Sequence, residues 1–297
     1  MREKNLYDKE KDMIPLQDTH MHFVYRDKAT YGWTKGIPTL AEGNFTLGDY
    51  NTLTEGLGIS GTMFMETAVD DSDYQKETRF VHSLMDDSDG NLCGLIASIR
   101  PENDEGFETW LNETIEMGVT GYRRVLHVVP DEMSQSDIFR NNVRKIGISG
   151  KTFDICFLPG QLPVACELAK ACENTKLILN HCGVPDIAGN GLDPWRQDIK
   201  ALAQIPNVIC KLSGLMAYCA PGTSSLETIE PYVDHVLNCF GPNRMVWGSD
   251  WPVVNLAKGL PEWIAVTRKI LGKLSADEAS SIAYGTAQIV YKVKIQS

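Results

Sequence analysis

A chain of 297 residues, 43% hydrophobic and 23% charged, is long and apolar enough to bury a core without staples, and its formal net charge of -11 argues against a broad nucleic-acid or anionic-membrane surface, which needs clustered Lys and Arg. No CxxC pair occurs among the eight cysteines, which argues against a zinc finger or a disulfide framework. No run approaches the ~20 apolar residues of a membrane helix, and the charged start lacks a secretory apolar segment, so a cytoplasmic protein is expected.

Residues 1–13 read as a charged N-terminal extension and 14–297 as one α/β domain. Short runs rich in Val, Ile and Leu recur at 14–22, 61–67, 92–99, 119–126, 152–158, 176–181, 207–212 and 245–249. Several are almost continuously apolar, as parallel strands covered on both faces require. Helical spacing lies between them, as in Phe80, Val81 and Leu84 or in Phe107, Trp110, Leu111 and Ile115. Eight strand-then-helix units predict a (β/α)8 TIM barrel, with a doubly wound sheet as the alternative topology. After the first strand, residues 23–60 are too long for a simple connection. Their Tyr25, Tyr31, Trp33 and Phe45 among Gly and Pro predict an irregular active-site loop ending in a short helix near 47–57.

Barrel enzymes carry their reactive groups at the C-terminal ends of the strands. In chain order the polar residues there are His20 and His22, then Glu66, Arg123, His181, Lys211 and Asp250. Residues two apart in a strand project to one side, so His20 and His22 aim two imidazoles at one point. With His181 and Asp250 they have the chemistry to hold one divalent metal such as zinc and leave a position open for water. The same set works without metal, Asp250 as general base and the imidazoles as donors to a developing oxyanion.

The chain resembles the amidohydrolase superfamily, amidohydrolase 2 type, in its sugar-lactonase branch, to which the L-fuconolactonases and L-rhamnono-lactonases belong and to which the 2-pyrone-4,6-dicarboxylate lactonases are related. The matching strings are Asp18-Thr19-His20-Met21-His22, Gly121-Tyr122-Arg123, Phe153-Asp154-Ile155-Cys156, Leu179-Asn180-His181-Cys182-Gly183, Cys210-Lys211-Leu212-Ser213-Gly214, and Phe240 to Arg244 running into Trp247-Gly248-Ser249-Asp250-Trp251-Pro252. They recur in order from residue 16 to about 255. The resemblance implies a hydrolase that opens a sugar-acid lactone, with Asp250 activating water and Arg123 and the imidazoles polarising the carbonyl. Strand 5 has neither the His nor the carboxylated Lys of metal-rich relatives, which argues against a binuclear centre. Met65-Glu66 stands where many relatives resemble Val-Gln; a Glu here changes the local charge and has the chemistry of a further metal ligand or of a hydroxyl acceptor for a polyol substrate.

Glu66, His127, Lys211, Trp33 and Trp251 are the candidate substrate contacts. Plainer roles compete: Asp250 as a helix N-cap before Pro252, Lys211 paired inside the barrel, and Trp251 as a pocket wall. Arg124 is turned to the other face by alternation, and His82 and His235 read as ordinary helix residues. The expected partner is a small-molecule lactone, with no nucleic acid or membrane and a homo-oligomer allowed. Alternatives are a mononuclear-zinc amidohydrolase or decarboxylase of a sister branch, and a non-catalytic barrel that binds a sugar acid.

Overall fold

The computed structural model describes residues 13–86, 88 and 90–293, so all of the charged extension but Met13 lies outside the described residues. Eight parallel strands pair in chain order: β1 (Leu16–Met21), β2 (Ile59–Met65), β3 (Leu92–Ser98), β4 (Gly121–Val125), β5 (Thr152–Cys156), β6 (Leu177–Leu179), β7 (Val208–Leu212) and β8 (Met245–Trp247). A parallel bridge between Met21 and Trp251 brings the segment after β8 against β1, and helices separate the successive strands. The (β/α)8 barrel is therefore observed, and the doubly wound alternative falls away. No helix among the described residues is long and apolar enough to cross a membrane.

Two apolar layers hold the barrel. Met63, Met65, Ile96, Ile178, Ile209 and Val246 fill its interior, and Val290 and Tyr291 of the C-terminal helix Thr286–Tyr291 pack into the same cluster. Alternate strand residues, Phe64, Ala97, Tyr122 and Phe153 among them, face the helices and join the larger outer core. This alternation makes continuously apolar strands necessary: a polar residue on either face must find a partner inside protein.

The expected loop after β1 contains one 3-10 turn, Gly32–Gly36, and the helix Leu47–Thr54, started by a capping box of Thr46 and Asp49. Trp33 is anchored from that loop by an Nε1 donation to Thr67 O at 2.7 Å.

The helix Tyr74–Asp86 places Glu77 behind the end of β2, where its carboxyl accepts from Thr67 N at 3.2 Å. Burial, reinforced by the charge of Glu66, pushes the Glu77 carboxyl up to about 8, against the pull of Thr67 and Arg123. Between its ordinary value of 4.5 and about 8, the unfolded chain has released this proton and the folded chain has not. Stability therefore falls as pH rises through that window, by on the order of 4 kcal/mol at its upper end. Glu77→Gln keeps the acceptor and removes the titration, so its urea midpoint should match wild type near pH 5 and exceed it near pH 8.5. A gap between the two proteins that stays constant over this range would contradict the assignment.

Candidate active site

His20 lies within β1 and His22 just beyond it, and both rings turn into the barrel, meeting edge to face with centroids 4.9 Å apart. Asp18 holds the base of this motif. Its Oδ1 accepts from His20 N at 3.0 Å and from Ser249 N at 2.8 Å, and its Oδ2 accepts from Tyr50 OH at 2.7 Å. The same carboxylate thus ties β1 to the segment that carries Asp250. Gly248 allows the approach, because a Cβ there would stand 2.6 Å from the Cβ of His20.

Asp250 sits three residues past β8 in left-handed backbone, φ 57°. Its N–H donates to His20 O at 2.7 Å and its carbonyl accepts from Val254 N at 2.9 Å, which fixes a conformation that costs about 1–2 kcal/mol for a residue with a Cβ. His181 is similarly left-handed, φ 53°, two residues beyond the end of β6 rather than on it. Its Nδ1 lies 2.9 Å from Ser213 Oγ. Gly214, at φ 73°, accommodates the ring, since a Cβ there would approach His181 Nδ1 to 2.8 Å. Strained backbone at two converging polar residues is the kind of outlier that points to a functional site.

The side chains converge closely. Asp250 Oδ1 is 3.5 Å from His22 Nε2 and 3.6 Å from His20 Nε2, and Oδ2 is 3.9 Å from His181 Nδ1. Arg123 Nη1 is 3.4 Å from His20 Nε2, while Arg123 Nε donates to Glu66 Oε1 and Nη2 to Glu66 O. Burial works against ionisation of Asp250, but His181, His22 and Arg123 more than offset it and hold the carboxyl below its ordinary range. Burial lowers His181 to about 4 against the pull of Asp250, and burial with the neighbouring cations pushes His20 well below its ordinary value. At neutral pH the site therefore holds a carboxylate, a guanidinium and neutral imidazoles at His20 and His181.

These groups floor a cavity of about 430 Å³. His22, Arg123, His181 and Asp250 reach it directly, and His20 lies fully buried beneath. Trp33, Val125, Val128, Cys156, Tyr218 and Val253 make mainly apolar walls, and His127 stands on the rim with its Nδ1 unpartnered among the described residues.

Of the candidate substrate contacts, Trp33 and His127 therefore line the cavity, and three others do not. Glu66 is committed to Arg123 and to Ala68 N, which donates to its Oε2 at 2.9 Å. Lys211 is fully buried below the floor, donating to Asp154 Oδ1 at 2.7 Å and to Thr19 O at 3.0 Å. Trp251 packs edge-on against Phe45 and Tyr50 behind the site. All three follow one rule: a polar or amphipathic group on a buried strand end is used first by its nearest partner across the barrel. Asp18, Ser213 and Tyr218 were not singled out from the sequence. The first two lie inside quoted strings, two residues from His20 and Lys211 respectively, and that spacing was the signal available.

The donor set fits one divalent ion. Met65 O, which can only accept, lies 2.9 Å from His22 Nδ1, so that nitrogen carries the proton and the lone pair on Nε2 faces His20 Nε2 only 3.2 Å away. Donors held tetrahedrally at about 2.0–2.1 Å from one ion stand roughly 3.3–3.4 Å apart. The triangle of His20 Nε2, His22 Nε2 and Asp250 Oδ1 has edges of 3.2, 3.5 and 3.6 Å. His181, with His20 and Asp250, also keeps its ligand atoms within 4.8 Å of theirs.

Known proteins are similar to this chain in sequence and in fold. The L-fucono-1,5-lactonase of Burkholderia multivorans is 28% identical over 291 residues, covering 92% of this chain and 95% of that protein. That of Burkholderia ambifaria is 33% identical over 136 residues, 45% of this chain, and the match spans about half of that relative, 47%. A crystal structure of an amidohydrolase from Burkholderia multivorans with bound zinc aligns with TM-score 0.84 and 26% identity over 94% of this chain and all of that one, 100%. The family model described as amidohydrolase matches residues 17–293, from within β1 past the C-terminal helix and over every strand end that supplies the site. The chain belongs to the amidohydrolase family and is a hydrolase.

Proposed function

We propose that this hydrolase opens an aldonolactone, with Asp250 as general base. The observation that carries the reading is an ionised carboxylate on the cavity floor, 3.5 Å from His22 Nε2 and beside the Arg123 guanidinium. The lactonase names of two full- or half-length relatives support the same reaction class.

Asp250 takes a proton from water as the water oxygen bonds to the lactone carbonyl carbon, and the carbonyl electron pair moves onto its oxygen. Arg123 donates to that oxyanion through the N–H groups not engaged by Glu66. His181, held with its Nδ1 2.9 Å from Ser213 Oγ, joins Arg123 in polarising the carbonyl. The ring C–O bond then breaks, and the Asp250 carboxyl returns its proton to the leaving alkoxide. The product is the open hydroxy acid, and the enzyme is restored.

His20, His22, His181 and Asp250 are the residues that would hold a divalent ion, a second reading favoured by the short distance between the two Nε2 atoms. A bound ion supplies Lewis acidity toward the carbonyl oxygen. A panel of aldonolactones followed by acid release, with the protein as purified and after chelation, tests the function. Acid release from at least one lactone is expected. A protein that opens none of them but releases CO2 from aromatic acids would shift the assignment to the sister decarboxylases.

A further inference from the structure

Beside the main cavity lies a second chamber of about 290 Å³. The two share Ala68, Asp70, Val125 and Val128 and therefore adjoin. Their chemistry differs. Beyond its polar floor the main cavity is walled mostly by carbon, which suits a ring but offers few partners to hydroxyl groups. The side chamber presents Arg100 and Arg124 together with Asp70, Asp71, Ser98 and Glu66, whose carboxylate already accepts from Arg123 and from Ala68 N.

The charges in this chamber are already balanced. Arg100 donates to Asp71 at 2.6 Å and to Ser98 at 2.7 Å, and Arg124 pairs with Glu102 at 2.7 Å. A carboxylate arm would find no free cation there and would meet Asp70. A neutral group that both donates and accepts fits better, because guanidinium N–H groups and carboxylate oxygens are offered side by side. Arg124 Nε is buried and has no acceptor among the described residues, and Glu102 Oε2 has no donor.

We infer that this chamber takes the hydroxylated exocyclic tail of the substrate, so that the enzyme selects lactones carrying a polyol tail over the same ring without one. The inference rests on the lactonase reading above and assigns Arg124, Asp70 and Val129 as specificity residues outside the catalytic set. Val129 lines the side chamber only.

The test compares kcat/KM for a hexono-1,4-lactone, whose ring bears a two-carbon diol tail, with that for the tetrono-1,4-lactone of matched ring stereochemistry, which has none. Wild type should favour the hexonolactone by about ten-fold or more, as one or two hydrogen bonds imply. Val129→Phe, which fills the chamber, and Arg124→Gln, which removes the guanidinium, should each bring that ratio toward one, with thermal melts confirming folded protein. A wild-type ratio near one, or a ratio that neither variant moves, overturns the inference and leaves the lactonase reading standing. If wild type opens neither these nor any other lactone of the panel, the lactonase reading fails and the inference with it.

Discussion

Asp250→Asn is expected to lower kcat for lactone opening by about three orders of magnitude, within the range a positioned general base contributes. Asn is the informative substitution for two reasons. It keeps an oxygen facing His22 Nε2, and its side chain is one of the few that tolerate the left-handed φ of 57° at this position. Ala would confound lost chemistry with added strain. Because the proton is transferred only in the transition state, kcat and kcat/KM should fall together while KM stays near its wild-type value. The thermal midpoint should change little, since the backbone bonds from Asp250 N to His20 O and from Val254 N to Asp250 O are untouched. A variant that retained kcat within ten-fold of wild type would falsify the general-base role.

Lys211→Met is expected to destabilise the fold by about 3–5 kcal/mol, the cost of leaving a buried charge without its partner. Lys211 and Asp154 are both fully buried. Burial lowers the Lys211 ammonium below its ordinary value even against the attraction of Asp154. Asp154 also accepts from Asn180 Nδ2 at 2.7 Å, and Tyr291 OH lies 3.4 Å away, so one carboxylate links β5, the turn after β6, β7 and the C-terminal helix. Met fills the space but leaves this carboxylate and Thr19 O without the ammonium. The double variant Asp154→Asn/Lys211→Met removes both charges and keeps an acceptor for Asn180, and should recover at least half of the loss. Urea unfolding of the two proteins reads the difference. If Lys211→Met instead unfolds like wild type and raises KM, Lys211 belongs to the substrate site, the role its strand-end position first suggested.

All eight predicted strands are present, though their ends moved. The runs 176–181 and 245–249 contracted to Leu177–Leu179 and Met245–Trp247, because His181 and Asp250 occupy left-handed turns that no ladder accommodates. Hydrophobic periodicity reports which residues face a core, and it does not report where the backbone leaves the strand. The His20/His22 pair was legible because a period of two is local. The partner of Glu66 was not, since Arg123 is 57 residues away and meets it only through the β2–β3–β4 pairing.

Periodicity and residue type, which are properties of neighbouring positions, were enough for the strand-and-helix alternation, the barrel class and the short list of groups at the strand ends. Tertiary structure alone decided which of those groups became the site. Bringing the segment after β8 against β1 carries Asp250 to His20 and His22 across some 230 residues, as the bond from Ser249 N to Asp18 with a separation of 231 illustrates. The same packing consumes Glu66 and Lys211 as internal partners and opens a second chamber beside the first. Those outcomes depend on register and on the angle at which strands meet, and a buried polar group takes whichever partner that geometry places nearest.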